Sequence, residues 1–227
     1  MADYKSELDA AQRLRVGYLL ALVGGYMDAY SYVLRDGVFA SAQSGNIIKL
    51  GIALSHGESE SYLTFLLPMM AFALGVFFEK LIEDFLIRRN MRLMRRGVLA
   101  VEAIALAIVG FIPLGGLNML ANCIASFVSA MQYEAFAKFR GESIGTTMTT
   151  GNFRQFCSAL YESAVHHEEA ELKTAAIFLG VVGMFVGGAF LGALGSGAMG
   201  AAAVAPVIAC LVVIIVIITI LRKRNAA

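Results

Sequence analysis

Two short steps in this chain carry the residue types best suited to holding a small polar group. They are Ser44-Gly45-Asn46 and Thr150-Gly151-Asn152. A hydroxyl residue can cap the start of a helix, Gly permits an otherwise strained turn, and Asn can bond backbone groups that a break sets free. The positive end of such a helix favours a negative or electron-rich group. Lys49 and Arg154 follow closely, where they either reinforce a preference for anions or extend their charged ends to water. The copies lie 106 residues apart in a chain of 227, one in each half. Membrane proteins built from two related halves keep their working site where the halves meet. The copies are therefore read as lining a shared path, against the plainer reading of turns that hold packed helices.

Asp28 is the second chemical candidate. It lies about 20 Å along a helix counted from Arg15, well inside an apolar stretch. An ionisable group there is a functional candidate by default. The structural alternative is a partner for Lys49, Tyr26 or a backbone amide at a half-helix start. Gly24 and Gly25 beside it would let another helix approach closely. In the second half Met131-Gln132-Tyr133 matches Met27-Asp28-Ala29, which sets Gln132 in the place of Asp28, or Glu134 if no gap is allowed. Gln132 either faces the path or bonds between helices. The expected substrate-binding set is Asp28, Ser44, Gly45, Asn46, Gln132, Thr150, Gly151 and Asn152.

Other polar groups point to less. Cys123, Cys157 and Cys210 are scattered and odd in number, which suits packing rather than a disulfide framework or metal site. His166-His167-Glu168-Glu169 are adjacent, so they do not converge on one ion as an i, i+4 pair would. They read as a solvated loop. Glu102 is expected to face arginines at the inner surface, and Glu79, Lys80, Glu83 and Asp84 to be solvated. No nucleophile–base motif or phosphate loop is found. The expectation is a protein that is not an enzyme and needs no cofactor and no metal.

The elements that would position these residues are long apolar helices. Hydrophobic residues make up 59% of the chain and charged residues 15%, well below the roughly 25% of soluble domains. The net charge of +1 gives no argument for nucleic acid as a partner. The acidic and basic N-terminus makes a poor cleavable signal. Six spans are expected over Arg15–Leu34, Tyr62–Ile87, Gly97–Pro113, Leu117–Lys138, Thr174–Leu194 and Gly200–Leu221. The third is short, so it is thinned locally or extends into the Arg-rich loop. Phe39–Leu54 and Ile144–Tyr161 are helix-like but too polar to be ordinary spans.

Charge decides whether those two segments cross. The five arginines between Arg88 and Arg96, the tail Arg222-Lys223-Arg224 and Arg13 with Arg15 belong on the cytoplasmic side. Six spans place all of them there, and eight do not. The fold class expected is all-α and polytopic, with six transmembrane helices and two re-entrant or broken half-helices in two inverted three-span repeats. Residues 1–14 form a cytoplasmic segment, 15–113 and 114–221 the repeats, and 222–227 a basic tail. The glycines at 180, 183, 187, 188, 192 and 195 suit packing within the bundle, with a homo-oligomer contact second.

The run Gly24-Gly25-Tyr26-Met27-Asp28-Ala29, with Val38-Phe39-Ala40-Ser41-Ala42-Gln43-Ser44-Gly45-Asn46, resembles the YoaK family. Met131-Gln132 and Thr147-Met148-Thr149-Thr150-Gly151-Asn152 extend the resemblance across essentially the whole chain. Ser44 departs mildly from the family's usual Thr-Gly-Asn and keeps the hydroxyl. The resemblance implies six spans and a bacterial inner membrane, and no reaction. The functional expectation is a carrier or facilitator of an unknown small solute, with membrane lipids around it. The alternative is a membrane scaffold or sensor without a path.

Overall fold

The computed structural model describes residues 11–57, 61–88, 94–139, 142–146 and 149–226. The first half comprises α1 (Leu14–Leu34), α2 (Gln43–Ser55), α3 (Ser61–Arg88) and α4 (Met94–Phe111). The second begins with α5 (Asn118–Ala135) and a two-residue antiparallel pair, β1 (Lys138–Phe139) with β2 (Glu142–Ser143). It continues with α6 (Thr149–His166), α7 (Glu169–Met199), a 3-10 turn over Gly200–Val204 and α8 (Ala205–Ala226). Most of the expected N-terminal segment, the centre of the Arg loop, Arg140 and Thr147-Met148 lie outside the described residues.

Among the described residues the fold is all-α apart from that short pair. The third long helix of the expected six begins at Met94, inside the Arg-rich loop, three residues before the limit read from hydropathy. Among the described residues, two helical stretches are long and apolar enough to cross a membrane by length and composition. They are Tyr62–Leu86, with mean hydropathy 1.8, and the 56 residues Glu169–Arg224, with mean hydropathy 3.3. The second is broken at Gly200, whose φ of 57° is readily reached by a residue without a side chain.

Small residues decide which helices touch. A Cβ at Gly25 of α1 would fall on the Phe185 carbonyl of α7, and one at Gly188 of α7 on the Leu22 carbonyl. Contacts climb together along both helices, from Tyr18 with Ile177 and Gly180 to Tyr26 with Gly192. Helices α1 and α7 therefore run in the same direction, backbone against backbone. Gly75 of α3 meets the Phe127 carbonyl and Ala130 of α5 in the same manner. Elsewhere α2 leans on α3, α6 on α7, and α4 packs between α5 and α8. Exchanging α1 with α5, α2 with α6, α3 with α7 and α4 with α8 returns this pattern of principal neighbours to itself.

Arg35, which no sequence motif singled out, holds one end of the bundle. It is fully buried. Its guanidinium donates to the Tyr30 hydroxyl, to the carbonyls of Val109, Ile112 and Pro113, and to Asn118 Oδ1, at 2.8 to 3.2 Å. A buried charge is tolerated only with such complete pairing. The C-terminal ends of α1 and α4 and the start of α5 are thereby joined. The Tyr30 hydroxyl also donates to the Ala201 carbonyl at 3.3 Å, bringing the 3-10 turn to the same end.

The opposite end gathers the cations. Arg95 donates to the Ala135 carbonyl at 2.6 Å and Arg96 to Thr219 Oγ1 at 3.2 Å, joining the start of α4 to the ends of α5 and α8. Phe139 is fully buried and lies 3.1 Å from where a Gly17 Cβ would stand, which adds the start of α1. Arg13, Arg15, Arg95, Arg96 and the Arg222-Lys223-Arg224 tail thus share one end.

Two acidic residues differ from expectation. Glu79 is fully buried rather than solvated, and neither carboxylate oxygen has a hydrogen-bond partner among the described residues. It faces α5 because the close approach at Gly75, one turn earlier, brings that side of α3 inward. Its neighbour Lys80 pairs with Glu134 at the edge of the same contact. Glu102 is buried too, and it meets Gln132 of α5 in place of the expected arginines.

Candidate functional site

The chain before each half-helix is gripped by an asparagine one turn inside it. Asn46 Oδ1 accepts from the Phe39 N–H at 2.9 Å, and its Nδ2 donates to the Phe39 carbonyl at 2.8 Å. Asn152 does the same to Gly145, with Oδ1 accepting at 3.2 Å and Nδ2 donating at 2.6 Å. Both clasps span seven residues. Phe39 and Gly145 are 106 residues apart, as are Asn46 and Asn152, and as are the helix starts at Gln43 and Thr149.

This geometry corrects part of the motif's reading. Ser44 and Thr150 are not caps, since each is the second residue of its helix. Ala42 holds the cap position of α2, with no side-chain cap bond. Gly45 and Gly151 do not make a left-handed turn either, because neither has a positive φ. Gly45 is needed for space: a Cβ there would lie 2.7 Å from the Phe39 ring. Gly151 has open space around it. Only Asn plays the expected part, and it does so because the chain at Phe39 and Gly145 lies outside helix and strand and needs partners for its backbone.

Ser44 and Thr150 meet in one cavity of about 640 Å³. Ala42 and Ser44 line it from α2, and Thr149, Thr150, Gly151, Asn152, Arg154 and Gln155 from α6. Tyr133, Gly145 and Phe185 complete the wall. Phe185 touches Gly25, midway along α1, so the cavity lies near the middle of the bundle. Helix α2 starts there and runs toward the end where α3 begins. Helix α6 starts there and runs toward the Arg-rich end where α7 begins. Two half-helices thus point their N-terminal ends at one space from opposite sides.

Asp28 and Gln132 flank the site without lining it. The Asp28 carboxylate is buried and accepts from the Ser41 N–H at 2.7 Å, the Ser41 hydroxyl at 2.8 Å and the Ala42 N–H at 3.3 Å. It therefore fixes the chain leading into α2. Gln132 is equally buried, but its amide turns to Glu102, and the orientation that lets Nε2 donate gives N···O distances of 2.7 and 3.0 Å to the two carboxylate oxygens. Glu134, which the 106-residue spacing sets opposite Asp28, pairs with Lys80.

The two cations after the motifs diverge. Lys49 turns away from the cavity, donating to the Gly37 carbonyl and lying over the Tyr32 ring at 4.1 Å from its centre. Arg154 remains on the cavity wall. Among the described residues no group of three or more His, Cys, Asp or Glu side chains is placed to hold a metal ion. The three cysteines are free, with Cys157 exposed.

A family model described as "Protein of unknown function (DUF1275)" matches residues 16–218, which span every described helix from α1 into α8. The chain belongs to the DUF1275 family. The YoaK-like resemblance of the glycine–aspartate and Gly-Asn motifs is to this same family. No curated protein and no solved structure matches the chain. Within this DUF1275 member both Gly-Asn copies fall inside the matched region; Thr150, Gly151 and Asn152 line the cavity, whereas of the first copy Ser44 does and Gly45 and Asn46 do not.

Proposed function

We propose that the chain is a multi-pass protein of the bacterial inner membrane that carries or facilitates passage of a small solute. In this reading α1, α3, α4, α5, α7 and α8 cross the bilayer, and α2 and α6 enter it from opposite faces. Residues 15–113 and 114–221 are two inverted repeats, and both termini are cytoplasmic. The observation that carries the reading is the central cavity where both half-helices begin. Irregular backbone at membrane depth is tolerated where protein buries it or where it lines a watery space. Two broken helices meeting midway are the arrangement expected of a solute site between inverted repeats.

Three further features support it. The principal helix pairings are unchanged when the halves are exchanged. The cations share one end, as cytoplasmic charge requires. Large apolar side chains remain exposed along the helices, including Phe77 on α3, Ile104 on α4, Phe190 on α7 and Val216 on α8, where acyl chains would cover them.

The test is thiol labelling of Ser44→Cys and Thr150→Cys, each in a chain lacking Cys123, Cys157 and Cys210. Membrane-impermeant reagents are applied from either face of oriented vesicles. A hydrated path predicts labelling of Ser44→Cys from the outer face and of Thr150→Cys from the cytoplasmic face. Protection of both positions from both faces would favour a packed scaffold or sensor and sink the transport reading.

A further inference from the structure

We propose that Glu102 is a proton-binding site, with Gln132 as the amide that bonds it in both protonation states. The inference does not require that a solute cross the bundle, so it stands or falls apart from the transport reading. Its first support is burial without a counter-charge. Glu102 is 1% exposed and lies about two turns into α4, where that helix packs between α5 and α8. Burial of an ionised carboxylate is tolerated only with close pairing. Among the described residues no cation is bonded to Glu102. Arg95 and Arg96, on the same helix, donate to the Ala135 carbonyl and to Thr219 Oγ1. From α5 Glu102 meets Gln132, while Glu134 is taken by Lys80. From α8 the Cys210 thiol is the titratable group within electrostatic reach, and the 3-10 turn over Gly200–Val204 brings none.

The second support is the geometry of the pair. The amide atom turned to Glu102, whether Nε2 or Oε1, lies 2.7 and 3.0 Å from the two carboxyl oxygens. A contact that short holds a hydrogen, and the charge of the acid decides which group supplies it. With the carboxylate ionised, Nε2 turns inward and donates. With the acid protonated, its own O–H donates and Oε1 turns inward to accept. A half-turn of one amide exchanges the two states. The proton needs no room of its own, because it lies within a contact already made between two enclosed side chains.

The third support is what sets this acid apart from the other two buried ones. Asp28 is held by three donors fixed on the chain before α2, and Glu79 has no bonded partner among the described residues. Glu102 alone of the three faces a group able to act as donor or acceptor. Gln132 does not line the central cavity, but Tyr133, the next residue of α5, does. The amide that follows the proton is thus joined to the cavity wall by one peptide unit.

The test is infrared difference spectroscopy of the purified full-length protein in lipid nanodiscs, titrated with acid and base. The C=O stretch of a protonated carboxyl lies apart from the amide and carboxylate bands, and it falls in frequency as its hydrogen bonding strengthens. A buried-acid band that comes and goes reversibly with pH is expected. Glu102→Gln is expected to abolish that band, whereas Glu79→Gln and Asp28→Asn are expected to retain it. Gln132→Leu leaves the carboxyl in place and is expected to move the band to higher frequency, which keeps the test open if Glu102→Gln does not fold. No band, a band that survives Glu102→Gln, or a Glu102 band that stays constant with pH would overturn the assignment. A band unmoved in Gln132→Leu would overturn the part given to the amide. Protection of Ser44→Cys and Thr150→Cys from thiol reagents, the result that sinks transport, would leave the proton site standing.

Discussion

Just before α2, Asp28 reaches across from α1 and holds Ser41 and Ala42 by three hydrogen bonds. Before α6 the two candidates for the matching place turn elsewhere, Gln132 to Glu102 and Glu134 to Lys80. There the hydroxyls of Thr146 and Thr149 have no partner among the described residues. The asparagine clasps are the same in both halves, so the backbone path is the same. What differs is the anchor behind it. A repeated framework can thus carry two unlike helix starts, one pinned by a carboxylate and the other, among the described residues, not. The start of α6 is where movement is expected to concentrate.

The common framework breaks with the largest effect. Gly188→Leu would drive a side chain into the Leu22 carbonyl, and Gly75→Leu into that of Phe127. Each is expected to cost about 3 kcal/mol or more, since two backbones must separate. Loss of the monodisperse folded peak in detergent is the readout, with Gly183→Leu, which has open space, as the tolerated control. If Gly188→Leu folds normally, the α1–α7 contact is wrong.

The anchors come next. Asp28→Ala is expected to cost about 2 to 3 kcal/mol by removing the buried acceptor of three bonds, and to speed proteolysis within 39–45. Gln132→Ala is expected to cost less and to leave cleavage at 145–151 unchanged. Equal cleavage of the two segments in the two variants would abolish the contrast drawn between them.

The clasps test the likeness instead. Asn46→Ala and Asn152→Ala each delete two bonds to one backbone residue. Each is expected to lower stability by a similar amount, about 1 to 2 kcal/mol. Thermal unfolding of the two variants side by side measures it, and a large inequality would show that the halves do not share the clasp. The smallest effects lie at the glycines. Gly45→Ala is expected to destabilise by about 1 kcal/mol through the Phe39 ring, whereas Gly151→Ala gains up to about 1 kcal/mol of helix propensity. Opposite signs are the expected outcome, and matching signs would contradict the packing at Phe39.

Much of this was legible in the residues because it is local. Apolar runs and charge-poor stretches locate the long helices, and the helix limits move by only a few residues from those expected. The 106-residue repeat marks the starts of both half-helices, since an asparagine clasp closes within seven residues of chain and therefore leaves a fixed spacing. Family membership follows from the same motifs.

Other features depend on partners distant in sequence, and no local pattern announces them. Arg35 looks like a loop cation until Val109, Ile112 and Asn118 are brought around it from two other helices. Glu79 reads as a solvated residue in an acidic stretch, yet the approach at Gly75 turns it inward. Lys49 and Arg154 hold matching chemistry near matching motifs, and only the fold aims one at an aromatic ring and the other at the cavity. The sequence determined which segments are helical, that two of them break alike, and where cations gather. The tertiary structure decided that both breaks open on one space and that Asp28 and Gln132 face different partners. Helix propensity and apolar length act along the chain, whereas burial of a charge and the counter-charge at a helix end depend on what packs across it.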